Sequence, residues 1–195
     1  MTEIRTLCVY CGSSAGARPD YAAAARQLGA RLAREGIGLV TGGGRVGLMG
    51  VIADAVLAAG GEAVGVIPQA LLDREVGHTG LTELLVVETM HERKALMAAR
   101  ADAVVALPGG LGTLEEITEM LTWAQLGIHA KPCGLLNVAG YYDALAAFLD
   151  HAVAERFVRA AQRDRITVAS DPDALLAGLR AHTPPDVSRW TGRYD

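Results

Sequence analysis

Short β-branched apolar runs and longer Ala- and Leu-rich stretches of helical period take turns along this chain. That alternation constrains the fold more than any other feature. Parallel strands cannot be joined by tight turns and need a crossover, usually a helix, so a chain written this way builds an α/β fold around a parallel sheet. The apolar runs predict strands over 6–10, 37–41, 63–67, 83–87, 103–107, 133–137 and 165–169. The stretches between them predict helices over 19–34, 47–59, 91–100, 114–126, 142–155 and 172–180. Pro19 and Pro172 each suit a first helical turn, where a missing N–H costs nothing. The expected architecture is a Rossmann-like open, mostly parallel sheet of about seven strands with helices on both faces.

No repeat, low-complexity tract or shift in composition marks a linker, so residues 1–183 are expected to form a single α/β domain. Residues 184–195, where the pattern stops, are expected to form an irregular C-terminal tail. The chain has 195 residues, 51% hydrophobic and 21% charged, with a net charge of −4. Acidic and basic residues are mixed, and no basic stripe of the kind that binds nucleic acid is present. A small molecule is therefore the expected partner, with no nucleic acid and no membrane. The opening "MTEIRTLCVYCGSS" lacks a basic region followed by a long apolar run, and no uncharged apolar stretch reaches ~18 residues. A cytoplasmic location is expected.

Cys8, Cys11 and Cys133 are the three cysteines, an odd number with no framework spacing. Cys8 and Cys11 spell C-x-x-C, a redox or metal pattern. They lie in a strand-like run, however, where side chains three apart point to opposite faces, which favours buried thiols. The five histidines are scattered, so no metal site is expected.

In open α/β sheets ligands sit beyond the carboxyl ends of strands. Three glycine-rich segments fall at such ends: "CGSS", "TGGGRVGLMG" and "PGGLGT". Gly42, Gly44 and Gly47 satisfy G-x-G-x-x-G, but the motif follows the second strand, and the acid about 20 residues on would be Glu62, at the start of the third. A dinucleotide site is thus disfavoured, leaving tight-turn packing or backbone contact with a phosphate. "PGGLGT" is sharper, because it leads from a strand into a helix whose free amides and dipole favour an anion. No Gly-Lys-Ser/Thr follows, so it is not a Walker loop. In "LPGGLGTLEEI" two carboxylates, Glu115 and Glu116, follow directly. Thr113-x-x-Glu116 also reads as a capping box, a role without chemistry. "MHERKALM" brings Arg93 and Lys94 to the end of the fourth strand, as cations for a phosphate or as an ordinary solvated helix face. A phosphate clamp, a basic pair and a carboxylate together suit a phosphorylated sugar with a bond to break nearby. In N-glycosidic cleavage the transition state is oxocarbenium-like, and a carboxylate can stabilise it, activate water or attack the anomeric carbon.

"MHERKALM" followed by "LPGGLGTLEEI" resembles the signature of the LONELY GUY (LOG) family, the cytokinin riboside 5′-monophosphate phosphoribohydrolases, whose pattern is P-G-G-x-G-T-x-x-E preceded by Arg-Lys. "CVYCGSSAG", "TGGGRVGLMG", "GVIP", "REVGHTGLTEL", "TWAQLGIHAKPCGLLNVAGYYDAL" and "PPDVSRW" extend the resemblance over almost the whole chain. It implies a nucleotide-binding domain that releases an adenine-type base and ribose 5-phosphate from a nucleoside 5′-monophosphate without a cofactor. Matched position by position, it implies Arg93 and Glu116 as the catalytic pair. Substrate contacts are implied at Glu75, Arg93, Lys94, Gly110, Leu111, Gly112, Thr113, Leu114, Glu115, Glu116 and Thr122. It further implies a homodimer, for which the apolar surface of residues 120–126 is a candidate contact. Thr41 departs from the tyrosine often found before the glycine triplet, which puts a pocket wall in question. Arg156 stands in the place of a glycine at a helix end.

Two other readings are a broader nucleosidase acting on plain AMP and a nucleotide-binding module without turnover. Relatives have also carried the label of lysine decarboxylase, which would need a Schiff-base lysine for pyridoxal phosphate. Lys94 and Lys131 are the only lysines, and neither comes with a recognisable cofactor motif.

Overall fold

In the computed structural model, which describes residues 2–72 and 77–183, the alternation resolves into seven strands and eight helices. The strands are β1 (Thr6–Tyr10), β2 (Gly38–Thr41), β3 (Ala63–Pro68), β4 (Glu83–Val87), β5 (Ala103–Ala106), β6 (Cys133–Leu136) and β7 (Ile166–Ala169). The helices are α1 (Pro19–Arg34), α2 (Gly47–Ala58), α3 (Gln69–Leu72), α4 (Met90–Ala99), α5 (Leu111–Gln125), α6 (Asp143–Ala154), α7 (Ala160–Arg163) and α8 (Pro172–Arg180). Every expected strand is found within about a residue of its predicted bounds. The short helices α3 and α7 were not foreseen, since four residues are too few to show a helical period. The expected tail, 184–195, lies outside the described residues.

All neighbouring strands pair in parallel, in the order β4-β3-β2-β1-β5-β6-β7. The chain winds outward from β1 to β4, then crosses back to lay β5 on the other side of β1. The loops leaving β1 and β5 therefore diverge, opening a crevice at the carboxyl edge of the sheet.

Side chains alternate across the strands as a sheet buried on both faces requires. Leu7, Val9, Leu39 and Val105 face one core layer, shared with α1, α2 and α8. Cys8, Tyr10, Val40, Val104 and Ala106 face the other, against Met97 of α4 and Ile117 and Met120 of α5. Cys8 and Cys11 consequently lie on opposite faces, both buried. Burial drives both thiols well above their ordinary range and pushes Cys133 up to about 12. These are packing residues, not thiolate nucleophiles.

Candidate active site

The crevice is stitched together by backbone. Gly12 N–H donates to Pro108 O at 3.0 Å and Leu107 N–H to Tyr10 O at 2.9 Å, tying the loop after β5 to the loop after β1. From below, the Tyr142 hydroxyl donates to Leu107 O at 2.6 Å and the Tyr141 hydroxyl to Gly109 O. Gly109 has no room for a side chain, because a Cβ there would meet Thr113 Oγ1 at 2.1 Å. Gly110 and Gly112 instead face open space.

Helix α5 opens at Leu111, three residues earlier than its hydrophobic period predicts, with Gly110 as N-cap and no side-chain cap. Its first intrahelical bond is Leu114 N–H to Gly110 O, 3.1 Å. The amides of Leu111, Gly112 and Thr113 are thus left without helical partners, at the end where the dipole of 15 aligned residues favours an anion. This register rules out the capping-box reading of Thr113 and Glu116: Thr113 is a buried third residue of the helix, and Glu116 caps nothing. A capping box does exist, but at α4, where Thr89 Oγ1 accepts from Glu92 N–H at 3.1 Å and Glu92 Oε2 accepts from Thr89 N–H at 3.2 Å. It fixes the turn of α4 that carries Arg93 and Lys94.

Arg93 is buried, 7% exposed, and aimed. Its Nε donates to Val66 O at 3.1 Å and its Nη2 to Gly42 O at 3.2 Å, leaving Nη1 3.6 Å from Glu116 Oε1. Gly42 makes this possible, since a Cβ there would lie 2.0 Å from Nη2. Glu116 is 8% exposed. Burial pushes its carboxyl up to about 7; Arg93 pulls against that rise, and Glu115 adds to it. Both side chains line a cavity of about 290 Å³ whose other walls include Gly12, Ser13, Met49, Met97 and residues 110–113. A buried carboxyl that titrates near neutrality beside a fixed guanidinium and a helix N-terminus can hold a phosphorylated ligand and serve a developing cation.

The structure does not bring all the expected contacts together. Lys94 is buried and turned from the cavity, its Nζ donating to Glu115 Oε1 and to Glu119 Oε1, the latter at 3.1 Å. Leu114, half-buried, packs against the core beneath α5. Leu111 is 85% exposed at the rim. Thr122 sits further along α5, where its Oγ1 donates to Thr118 O at 2.8 Å, and lines a separate cavity of about 180 Å³ with Lys131, Arg165 and His182. Glu75 lies outside the described residues. Thr41 is fully buried and lines neither of these cavities.

Sequence reasoning missed Met49 and Met97 on the wall and the tyrosine pair beneath the loop. "GYYD" just after a strand end was the only signal for the latter. Among the described residues, no group of three or more His, Cys, Asp or Glu could hold a metal, and no helix is long and apolar enough to cross a membrane.

Residues 49–179 match the family model described as "Possible lysine decarboxylase". The chain is 52% identical over 184 residues to the rice "Probable cytokinin riboside 5'-monophosphate phosphoribohydrolase LOGL5", covering 94% of this chain and 75% of that one. It is 49% identical to the Arabidopsis thaliana cytokinin riboside 5'-monophosphate phosphoribohydrolase LOG7, covering 94% and 84%. In fold it is similar to the molybdenum cofactor carrier protein of Chlamydomonas reinhardtii, with a TM-score of 0.68, 23% identity, and 90% and 95% of the two chains covered. Both lysines that could serve as the Schiff-base residue of a pyridoxal enzyme are engaged: Lys94 with its carboxylates, and Lys131 with the carbonyls of Ala98, at 2.7 Å, and Ala101.

Proposed function

The chain belongs to the LONELY GUY family of cytokinin riboside 5′-monophosphate phosphoribohydrolases, and on that premise we propose that it hydrolyses the N-glycosidic bond of N6-substituted adenosine 5′-monophosphates. The products are the free base and ribose 5-phosphate. The observation that carries this reading is the convergence, in one cavity, of the unpaired amides of α5 with the Arg93–Glu116 pair. The phosphate is held by the amides of residues 111–113. That places the ribose over Glu116, whose carboxylate faces the positive charge that grows on the anomeric carbon as the bond to the base lengthens. Water adds its hydroxyl to that carbon, and its proton passes to Glu116 and from Glu116 to the departing base, which restores the carboxylate. Arg93 positions the substrate and keeps a fraction of Glu116 ionised. No step calls for a cofactor.

The chain acts as a homodimer in the cytoplasm. Met120 is 1% exposed and packs in the core with Leu121 and Trp123, which narrows the expected contact over residues 120–126 to its C-terminal end, where Leu126 and the following Ile128, 56% and 64% exposed, support it. Purified protein is expected to release base from N6-isopentenyladenosine 5′-monophosphate well above AMP and to scatter light as two chains. Equal turnover of AMP would replace the reading with a broader nucleosidase. No release from either would leave a binding module, and a one-chain mass would remove the dimer.

A further inference from the structure

Arg93 is aimed at Glu116 by two carbonyls, and one of them belongs to a loop that a third segment holds in place. Gly42 O, which accepts from Arg93 Nη2, opens the loop of residues 42–46 between β2 and α2. On one side, Leu48 N–H at the start of α2 donates to Gly12 O at 2.9 Å. On the other side the loop meets residues 77–80: Gly44 and Gly77 form an isolated antiparallel bridge, and His78 N–H donates to Gly43 O at 2.9 Å. His78 is 5% exposed, and every polar atom of its ring is used. Nδ1 accepts from Gly80 N–H at 3.1 Å, so Nε2 carries the proton and donates to Asp54 Oδ1 of α2 at 2.8 Å. One residue thus joins the triglycine loop, helix α2 and its own turn. It does not line the cavity that holds Arg93 and Glu116.

We propose that His78 is a positioning residue for the reaction: clamped to Asp54, it fixes the triglycine loop so that the Gly42 carbonyl holds Arg93 against Glu116. The proposal rests on the reading above, in which those two residues meet the substrate. The Asp54 carboxylate is two-thirds exposed, so its bond to His78 adds little to global stability. What the strut supplies is placement, and a displacement of about 1 Å at a reacting group is enough to cost on the order of a hundredfold in rate. Loss of the strut has a signature beyond rate. Among the described residues, the charged and titratable groups whose fields reach Glu116 are Arg93 and Lys94 of α4, Glu115 and Glu119 of its own helix, Cys8 and Tyr10 of β1, and Cys11 just beyond it. Of these, only Arg93 hangs on the loop that His78 braces. Releasing it removes the largest influence that favours the ionised carboxylate.

The experiment compares wild type with His78→Ala, Asp54→Ala and the double variant, on kcat, KM and the pH dependence of kcat/KM with a nucleoside 5′-monophosphate. Carboxyl 13C NMR of Glu116 through the same pH range is read alongside. His78→Ala is expected to lower kcat about tenfold with KM within about twofold, and to move both the rising limb of kcat/KM and the Glu116 titration to higher pH. Asp54→Ala, on an exposed helix face, cuts the same strut without burying a hole and is expected to shift both the same way. The double variant should lose no more than His78→Ala, as members of one network do. Unchanged kcat and an unmoved titration in both single variants, whatever their melting temperatures, would overturn the proposal and leave the functional reading standing. A wild type that releases no base would sink the functional reading instead, and the NMR titration would then decide the role of His78 alone.

Discussion

Glu115 and Glu116 are neighbours with opposite fates. On a helix successive side chains diverge by about 100°, so Glu115 swings to Lys94 while Glu116 turns inward to Arg93 and the cavity. The charge of Lys94 is taken up by two carboxylates, which among the described residues leaves Arg93 as the cation beside Glu116 in the cavity. The consequence for Glu116 has a sign that can be measured. Its carboxyl titrates near 7 in the fold against 4.5 when unperturbed, so the folded state binds the extra proton between those values. The stability this contributes is fully present below about 4.5 and is lost as pH rises through 7. Relative to Glu116→Gln, wild type should lose up to about 3 kcal/mol between pH 4 and 8 in denaturant unfolding. In the same range kcat/KM should rise with pH, with a midpoint near 7. A flat stability difference, or activity falling through that midpoint, would assign the proton differently.

Four helices of the fold close on a residue in the left-handed conformation. Helices α1, α2 and α5 each end on a glycine with positive φ, Gly36, Gly60 and Gly127, and close with the paired bonds of a Schellman motif. Helix α6 ends the same way, with Phe157 N–H on Ala152 O at 2.8 Å and Arg156 N–H on Val153 O at 2.9 Å, but the left-handed residue is Arg156, φ 64°. A side chain in that conformation costs about 1 kcal/mol. Arg156→Gly should therefore raise the melting temperature by a few degrees without touching turnover; a lowered one would mean that the Arg156 side chain contributes more than its strain costs. The family resemblance marks Arg156 only as a departure from glycine at a helix end; the positive φ supplies the physical reason for a glycine there. The start of α5 was less legible. Gly112 weakens the helical signal in "GGLGT", so the period begins only at Leu114, and what draws residues 111–113 into the helix is distant: Gly12 and the two tyrosines that pin the preceding loop. The capping-box reading of Thr113 fell with that register.

At the scale of the molecule, the winding of seven strands places the loops after β1, β2 and β5 around one crevice. The alternation of apolar runs was enough to read the strands and the parallel sheet. It carried nothing of the strand order beyond the expectation that glycine-rich ends share an edge. Arg93 and Glu116 were legible as residue types near that edge. Their 3.6 Å approach was not, because it depends on carbonyls of β3 and of the triglycine loop that no motif names. Nor was the burial that raises Glu116, which needs both helices in place. On the proposed function, this buried carboxylate serves the glycosidic bond of a phosphorylated ribose. The most direct measurement is chromatographic release of free base by wild type and Glu116→Ala from N6-isopentenyladenosine 5′-monophosphate and from its unphosphorylated riboside. Release is expected from the monophosphate only, reduced at least a hundredfold in Glu116→Ala while the fold survives. Full turnover in Glu116→Ala, or equal release from the riboside, would contradict it.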